Sequence, residues 1–177
     1  MKYAILYSSQ TGNTKQLADT LSGLLGTESR QERIAADMAA PEEEILLIGY
    51  WVDKGFCPQE VRQLLEKLEG KQILFFSTAG FGQTKEYFEQ ISAGVERLVR
   101  EKNKVLGSFF CQGRMPDEIR MRYEKVIQKN PKDEKAKLFL NNFDFAKCHP
   151  NAEDLKRLLD FASARVMAES SGRSEYV

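Results

Sequence analysis

Short apolar runs that alternate with longer amphipathic segments constrain the fold of this chain most strongly. The runs occupy residues 3–7 (YAILY), 45–50 (ILLIGY), 73–77 (ILFFS) and 105–111 (VLGSFFC). Continuous apolar runs of this length are typical of strands that are covered on both faces of a sheet. A weaker strand is predicted near residues 32–35. Strands that alternate with helices form right-handed βαβ units, so the pattern predicts an α/β fold with a parallel sheet.

The segments between the runs carry apolar residues at helical spacing, which predicts four amphipathic helices. Their apolar faces are Leu17, Leu21, Leu24 and Leu25; Val61, Leu64, Leu65 and Leu68; Phe88, Ile91, Val95, Leu98 and Val99; and Leu155, Leu158, Leu159, Ala162 and Val166. Gly26 and Gly70 follow the first two helices, and Pro58 stands at a helix start, as is common at helix ends. Five strands with intervening helices predict a doubly wound sheet.

Residues 113–150 do not fit this repeat. They separate the last strand from the last helix by 38 residues, whereas a βα loop usually has about 2–6. Apolar residues recur at helical spacing from Ile119 to Ile127, and Phe139 and Phe143 follow. Two interpretations remain open: an insertion that packs against the domain edge, or a subdomain that faces a partner or substrate. We predict a single domain over residues 1–168, with a flexible polar tail at 169–177.

Composition excludes several classes of protein. The 177 residues include 26 basic and 26 acidic ones, with 42% hydrophobic residues, which argues against a basic nucleic-acid binder or an acidic disordered chain. No apolar run approaches the roughly 20 residues of a membrane span. Cys57, Cys111 and Cys148 are widely spaced and form no CxxC pair, so we expect free thiols and a cytoplasmic location. His149 is the only histidine and no GxSxG motif occurs, so we assign no metal ligands and no catalytic residues.

The loop after the first strand has the composition of a phosphate-binding loop. It reads Ser8, Ser9, Gln10, Thr11, Gly12, Asn13, Thr14, and a predicted helix follows. A helix start offers unpaired N–H groups and the positive end of the helix dipole to an anion, and the hydroxyls add donors. The loop is not a nucleoside-triphosphate P-loop, because no Gly-Lys-Ser/Thr occurs, and its single glycine excludes the dinucleotide fingerprint. The alternative is an ordinary run of helix-capping Ser and Thr residues.

The motif from Tyr7 to Thr14 resembles the FMN-phosphate loop of the flavodoxin family. That resemblance implies FMN as the cofactor and a five-stranded parallel sheet of order 2-1-3-4-5, with helices on both faces and, in this chain, an insertion after the last strand. In such a sheet, ligands bind at the carboxyl ends of the strands, where the strand order reverses.

The resemblance further implies that the loops after the third and fourth strands hold the flavin ring. The loop after the third strand consists of Tyr50, Trp51, Val52, Asp53, Lys54 and Gly55. The loop after the fourth strand consists of Thr78, Ala79, Gly80, Phe81 and Gly82. Gln112 and Gly113 follow the fifth strand at the same edge. Trp51 could stack on a planar ring, and Phe81 stands between two glycines that allow a sharp turn. The alternatives are a core tryptophan at a strand end and a simple glycine turn.

A narrower resemblance concerns five strings: Trp51-Val-Asp-Lys-Gly55, Thr78-Ala-Gly-Phe-Gly82, Cys111-Gln-Gly-Arg-Met-Pro116, Asn142-Phe-Asp144 and His149-Pro150. They are similar to a branch of flavodoxin-like proteins that accompanies a bacterial bilirubin reductase. This implies an FMN-binding electron-transfer protein that supplies electrons to, or assists, such a reductase. An FMN-dependent oxidoreductase acting directly on a small acceptor is the alternative, and a flavin-free binding module is a third. Lys54 and Arg114 could attract a carboxylate-bearing substrate or an acidic partner.

Overall fold

Five parallel strands form the centre of the computed structural model, which describes residues 2–82 and 84–171. The strands are β1 (Tyr3–Tyr7), β2 (Ser29–Arg33), β3 (Ile45–Trp51), β4 (Gln72–Ala79) and β5 (Lys104–Gln112). Their order in the sheet is β2-β1-β3-β4-β5. All neighbouring pairs are parallel, with Ile5 opposite Leu47 and Leu47 opposite Leu74 in the central register. The predicted fold class is therefore confirmed.

Six helices accompany the sheet in the described ranges. They are α1 (Asn13–Leu25), α2 (Gln59–Leu65), α3 (Lys85–Glu96), α4 (Asp117–Lys129), α5 (Glu134–Ala146) and α6 (Ala152–Ser171). The last helix contains residues 169–171 of the predicted tail, and residues 172–177 lie outside the described ranges. None of the described helices is long and apolar enough to cross a membrane.

Side chains that alternate along each strand divide the interior into two cores. One core packs Ile5, Leu47 and Phe76 against α1 and α6. The other packs Leu6 and Phe75 and their neighbours against α2 and α3. Because successive strand residues point to opposite faces, a continuously apolar strand serves both cores. Because the helices cover the two faces of the sheet, its carboxyl edge is formed by the loops that follow the strands.

Residues 113–150 form a helical hairpin, α4 and α5, beside that carboxyl edge. No side chain of α4 is buried, whereas α5 buries Phe143 and Ala146. These two pack with Met115 in a small third cluster that Phe81 and Ile119 also contact. The hairpin therefore has an apolar core of its own, and this core contacts the loop after β4.

Candidate functional site

The loop between β1 and α1 is a compact turn that leaves the helix start open. The Gly12 N–H donates to Ser9 Oγ at 3.1 Å, and Gly12 has a φ of 89°, a conformation that glycine adopts without strain. Because glycine precedes the helix, no side chain caps α1, and the first-turn N–H groups have no intrahelical acceptors. A Cβ at Gly12 would meet no atom within 4 Å. An anion could therefore approach these N–H groups closely.

The hydroxyls of this loop have different surroundings. Ser8 is buried and donates to Glu60 Oε1 at 2.5 Å, and the buried Thr14 hydroxyl shares a 2.9 Å hydrogen bond with that of Thr78. Thr11 is exposed, and its hydroxyl accepts from Asn13 Nδ2 at 2.9 Å. The side chains of Ser8 and Thr14 thus join the loop to α2 and β4, and Thr11 carries the hydroxyl that faces open space.

The loop after β3 presents Trp51 and Val52 to the same edge. The Val52 N–H donates to the carbonyl of Thr78 at 2.9 Å, so the loop after β3 is joined to the end of β4. Beyond it, Asp53 and Phe56 exchange two backbone hydrogen bonds of 2.8 and 3.0 Å around a tight turn. Both central residues of the turn have positive φ, 49° at Lys54 and 82° at Gly55, and both are exposed.

Tyr50 differs from its neighbours in this loop. Its ring is fully buried and packs edge-on against Phe75 and Phe110, with centroid distances of 6.2 and 6.1 Å. Burial raises the pKa of its hydroxyl well above the usual value. The Tyr50 side chain is therefore part of the core, and only its backbone could reach a ligand.

The loops after β4 and β5 make close contacts at two glycines, Gly80 and Gly113. A Cβ at Gly80 would lie 2.4 Å from the Met115 side chain, and one at Gly113 would lie 2.6 Å from Asn13 Nδ2. A side chain at either position would therefore have to displace Met115 or Asn13 from its present place. Asn13 Nδ2 also donates to the carbonyl of Arg114 at 2.8 Å, which joins the start of α1 to the loop that leads into α4.

Asn142 of α5 connects the hairpin to both of these loops. Its Nδ2 donates to the carbonyl of Gly80 at 2.9 Å, and its Oδ1 accepts from Gln112 Nε2 at 3.1 Å. Both amide side chains are buried, where unpaired polar groups are unfavourable. Gln112 therefore positions the hairpin, and its side chain does not face the cavity described next.

A cavity of about 250 Å³ lies where these loops converge. Of the residues predicted from the sequence, it is lined by Gln10, Thr11, Asn13, Trp51, Val52, Thr78, Gly80, Phe81 and Gly113. The predicted residues that do not line it are Ser8, Ser9, Gly12, Thr14, Tyr50, Asp53, Lys54, Gly55, Ala79, Gly82 and Gln112. Arg114, Met115, Pro116 and Ile119 complete the lining. The sequence indicated Arg114 only as a charge for a substrate or partner, and the other three were not among the predicted residues. Ile119 belongs to the helical apolar pattern, which is the one signal that pointed to it.

The cysteines and the histidine lie outside this cavity. Cys57 precedes the start of α2, where a thiol pKa can fall, but desolvation raises its pKa to about 12. Asn151 begins α6 by accepting from the Glu153 and Asp154 N–H groups at 3.0 Å, and His149 Nδ1 pairs with Asp154 at 2.5 Å. Within the described ranges, no three His, Cys, Asp or Glu side chains are grouped so as to hold a metal ion.

Comparison with known proteins gives the site a family context. Residues 4–163 match the model of the flavodoxin domain. The chain belongs to the flavodoxin family. It is 35% identical to the flavodoxin-like domain-containing protein BilS of Clostridium symbiosum, over 97% of this chain and all of that one. It is 31% identical to BilS of Clostridioides difficile, over 96% and 99% of the two chains.

Solved flavodoxins share the fold at low sequence identity. Flavodoxin 1 of Bacillus cereus superposes with a TM-score of 0.59 at 17% identity, covering 94% of this chain and 98% of its own. A flavodoxin of Streptococcus pneumoniae TIGR4 gives 0.58, with the same identity and coverage. FMN is the cofactor of the flavodoxin family, so the predicted cofactor agrees with the family assignment.

The described residues fit such a cofactor. The cavity has aromatic rings for a planar ring system in Trp51 and Phe81, and it has two glycines where a backbone can approach closely. The open start of α1 adjoins it through Thr11 and Asn13. One side of the arrangement is therefore apolar and one side offers hydrogen-bond donors, as a phosphorylated aromatic ligand requires.

Proposed function

We propose that this protein binds FMN at the carboxyl edge of its sheet and transfers electrons between the flavin and a redox partner protein. The observation that carries the proposal is the convergence of Thr11, Trp51 and Phe81, from three separate loops, on one cavity. When bound, FMN supplies one- and two-electron redox chemistry, and the protein binds and orients it.

Each part of the cavity has its own role in this proposal. The N–H groups at the start of α1, with Thr11 and Asn13, hold the phosphate. Trp51 and Phe81 contact the ring, since aromatic side chains pack well on planar groups. Met115 and Ile119, which line the cavity from the hairpin side, exclude water from the ring.

The hairpin also offers a surface for a partner. Leu138 and Phe145 of α5 are 66% and 56% exposed, and exposed apolar side chains that lie together mark interaction sites. Both line a depression that also includes Phe81, so a partner seated there would lie beside the flavin cavity. The sequence resemblance to the branch that accompanies a bilirubin reductase makes that enzyme the first partner to test.

The same depression favours one second candidate, a reductase that acts directly on a small acceptor. It encloses about 500 Å³ between the loop after β4 and α5, and aromatic side chains and two asparagines line it. Ligand sites commonly have about 300–1,000 Å³ and this mixed lining. Phe81 separates this space from the flavin cavity.

The spectrum of the purified protein tests cofactor binding first. Flavin absorbance, and an FMN content near one per chain, are expected; a protein that stays colourless and does not take up added FMN contradicts the proposal. The photoreduced protein is then mixed with bilirubin reductase, or with bilirubin alone. Reoxidation that requires the second protein supports the carrier, and turnover of bilirubin without it supports the direct reductase.

Replacing the tryptophan tests the ring position. Trp51→Ala should weaken FMN binding by about tenfold, because a stacked aromatic contact contributes roughly 0.5–1.5 kcal/mol beyond burial. Trp51 should also quench the bound flavin, so the variant should restore flavin fluorescence. Unchanged affinity and emission would place the ring away from Trp51.

A further inference from the structure

A second, polar cavity adjoins the proposed flavin cavity. It encloses about 400 Å³ and is lined by Thr11, Arg114, Met115, Pro116, Asp117 and Lys147. The first four of these residues also line the flavin cavity, so the two spaces share a wall. Their chemistry differs, because the flavin cavity contains aromatic rings and the polar cavity contains two cations and one carboxylate.

The structure fixes the backbone of Arg114, while its side chain has no ion-pair partner among the described residues. Its N–H donates to the carbonyl of His149 at 2.8 Å, and its own carbonyl accepts from Asn13 Nδ2 at 2.8 Å. Arg114 is thereby held between the start of α1 and the entry to α6. Its guanidinium is exposed and forms no ion pair with any residue of the described ranges.

Lys147 reaches the same cavity from the other end of the hairpin. It follows α5 directly, and its N–H donates to the carbonyl of Phe143 at 3.1 Å. Its ammonium, like the Arg114 guanidinium, has no carboxylate partner in the part of the chain that is described. Thr11 lines the same cavity, so two cations that have no ion-pair partner among the described residues share this cavity with the loop that we assign to the phosphate.

We propose that Arg114 and Lys147 complete the phosphate site of FMN from the hairpin side, and this inference rests on the proposed function. A phosphate monoester carries about −1.5 to −2 charges at neutral pH. The loop of residues 8–14 supplies only neutral donors, whereas the hairpin supplies a guanidinium, which can pair with phosphate in bidentate fashion, and an ammonium. The insertion thus contributes charge to the cofactor site as well as a cover for the ring.

Asp117 is the opposing charge in this cavity. It lies in the first turn of α4 and lines the same wall as Arg114 and Lys147. The three side chains together leave one net positive charge facing the phosphate. The proposal therefore predicts effects of opposite sign for removal of the cations and removal of the carboxylate.

The first test compares two double variants that lose the same charge. Arg114→Gln with Lys147→Gln should weaken FMN binding by about tenfold, since each partly exposed pair with a phosphate contributes modestly. Arg122→Gln with Lys125→Gln removes two exposed cations of α4 that do not line either cavity, and it should change FMN affinity less than twofold. Both affinities are measured by quenching of flavin fluorescence, and thermal unfolding of the apoproteins checks that each variant folds.

Two further measurements, with riboflavin and with rising salt, distinguish an effect on the charge at the phosphate from an effect on the shape of the ring cavity. Riboflavin has the same ring and no phosphate, so its affinity should change less than twofold in the Arg114 and Lys147 variant. The decline of FMN affinity with rising salt should become shallower in this variant, because fewer charges are screened. Asp117→Asn should strengthen FMN binding by about two- to threefold, as expected for removing one exposed like charge.

The outcomes separate this inference from the proposed function. If the wild-type protein binds no FMN, the proposed function fails and this inference fails with it. If the wild type binds FMN and the Arg114 and Lys147 variant binds it equally well, the proposed function stands and this inference is overturned. Equal losses for FMN and riboflavin also overturn it, because the cations would then act on the shape of the ring cavity.

Discussion

The sheet and the helical hairpin differ in how extensively their side chains are buried. Leu47 and Phe76 in the sheet are fully buried against α1 and α6. In the hairpin, α4 buries no side chain, and the apolar cluster beneath it contains three buried residues, Met115, Phe143 and Ala146. Local stability follows the density of buried apolar contacts. The sheet therefore provides a rigid frame for the site, and the hairpin provides a cover that can open separately.

The largest expected effect is on the free energy of unfolding, which should differ between a substitution in the sheet and one in the hairpin. Leu47→Ala should lower the global free energy of unfolding by about 3 kcal/mol, as large-to-small substitutions in a close-packed core do. Phe143→Ala removes a larger side chain but should lower the global value by less than about 1 kcal/mol, because the hairpin can open without unfolding the sheet. Denaturant unfolding measures both. Equal losses would show that the hairpin and the sheet unfold as one unit.

Asn142 tests the link between the two regions. Asn142→Ala removes the hydrogen bonds to Gly80 and Gln112 and leaves a buried amide unpaired, which should reduce the opening free energy of α5 by about 1–2 kcal/mol. Hydrogen exchange of the α5 amides under native conditions measures this energy. The exposed neighbour provides the control, since Asn141→Ala should leave the exchange rates nearly unchanged. Equal effects of the two substitutions would mean that the amide bridge does not hold the hairpin.

Two threonines of one loop should respond in different ways. Thr14→Val leaves the buried Thr78 hydroxyl without its partner, so it should lower the free energy of unfolding by about 1 kcal/mol. Thr11→Val changes an exposed side chain and should affect stability by no more than about 0.5 kcal/mol, while FMN affinity falls several-fold. Thermal unfolding and fluorescence titration measure the two quantities. A Thr11→Val variant with unchanged FMN affinity would place the phosphate away from this hydroxyl.

The smallest expected effects are on the alkylation of the cysteine thiols in the two regions. Cys57, before α2, and Cys111, in β5, are buried, and Cys148 is exposed at the end of the hairpin. Because burial raises the pKa of Cys57 to about 12, its thiol stays almost entirely protonated at pH 8. Iodoacetamide should therefore label Cys148 alone in the native protein at pH 8, as mass spectrometry would show. Labelling of Cys57 at the same rate would mean that α2 opens readily.

The strands show what a local pattern can and cannot predict. β1, β3 and β4 are buried along most of their length and β5 is partly buried, and the apolar runs of all four predicted their bounds to within two residues. β2 lies at Ser29–Arg33, three residues before the predicted position. It is a polar edge strand that pairs with β1 alone, and its sequence therefore carries no apolar run to mark it.

The site was predictable in its loops but not in its side-chain directions. The loops follow the apolar runs, so their meeting at one edge follows from a parallel sheet. Which hydroxyls turn inward depends on partners far along the chain, 52 residues away for Ser8 and 64 for Thr14. The helical apolar spacing pointed to Ile119, but it does not indicate that the hairpin folds back so that Met115 and Ile119 line the cavity.

The hydrogen bonds of Thr78 affect the rate at which a cofactor can bind. Its hydroxyl pairs with Thr14 at the start of α1, and its carbonyl accepts from Val52 after β3. One residue at the end of β4 therefore connects the start of α1 with the loop after β3 before any ligand binds. Association with a preorganised site does not require the loops to become ordered first, so uptake of FMN by the apoprotein should follow simple second-order kinetics without a slow ordering phase.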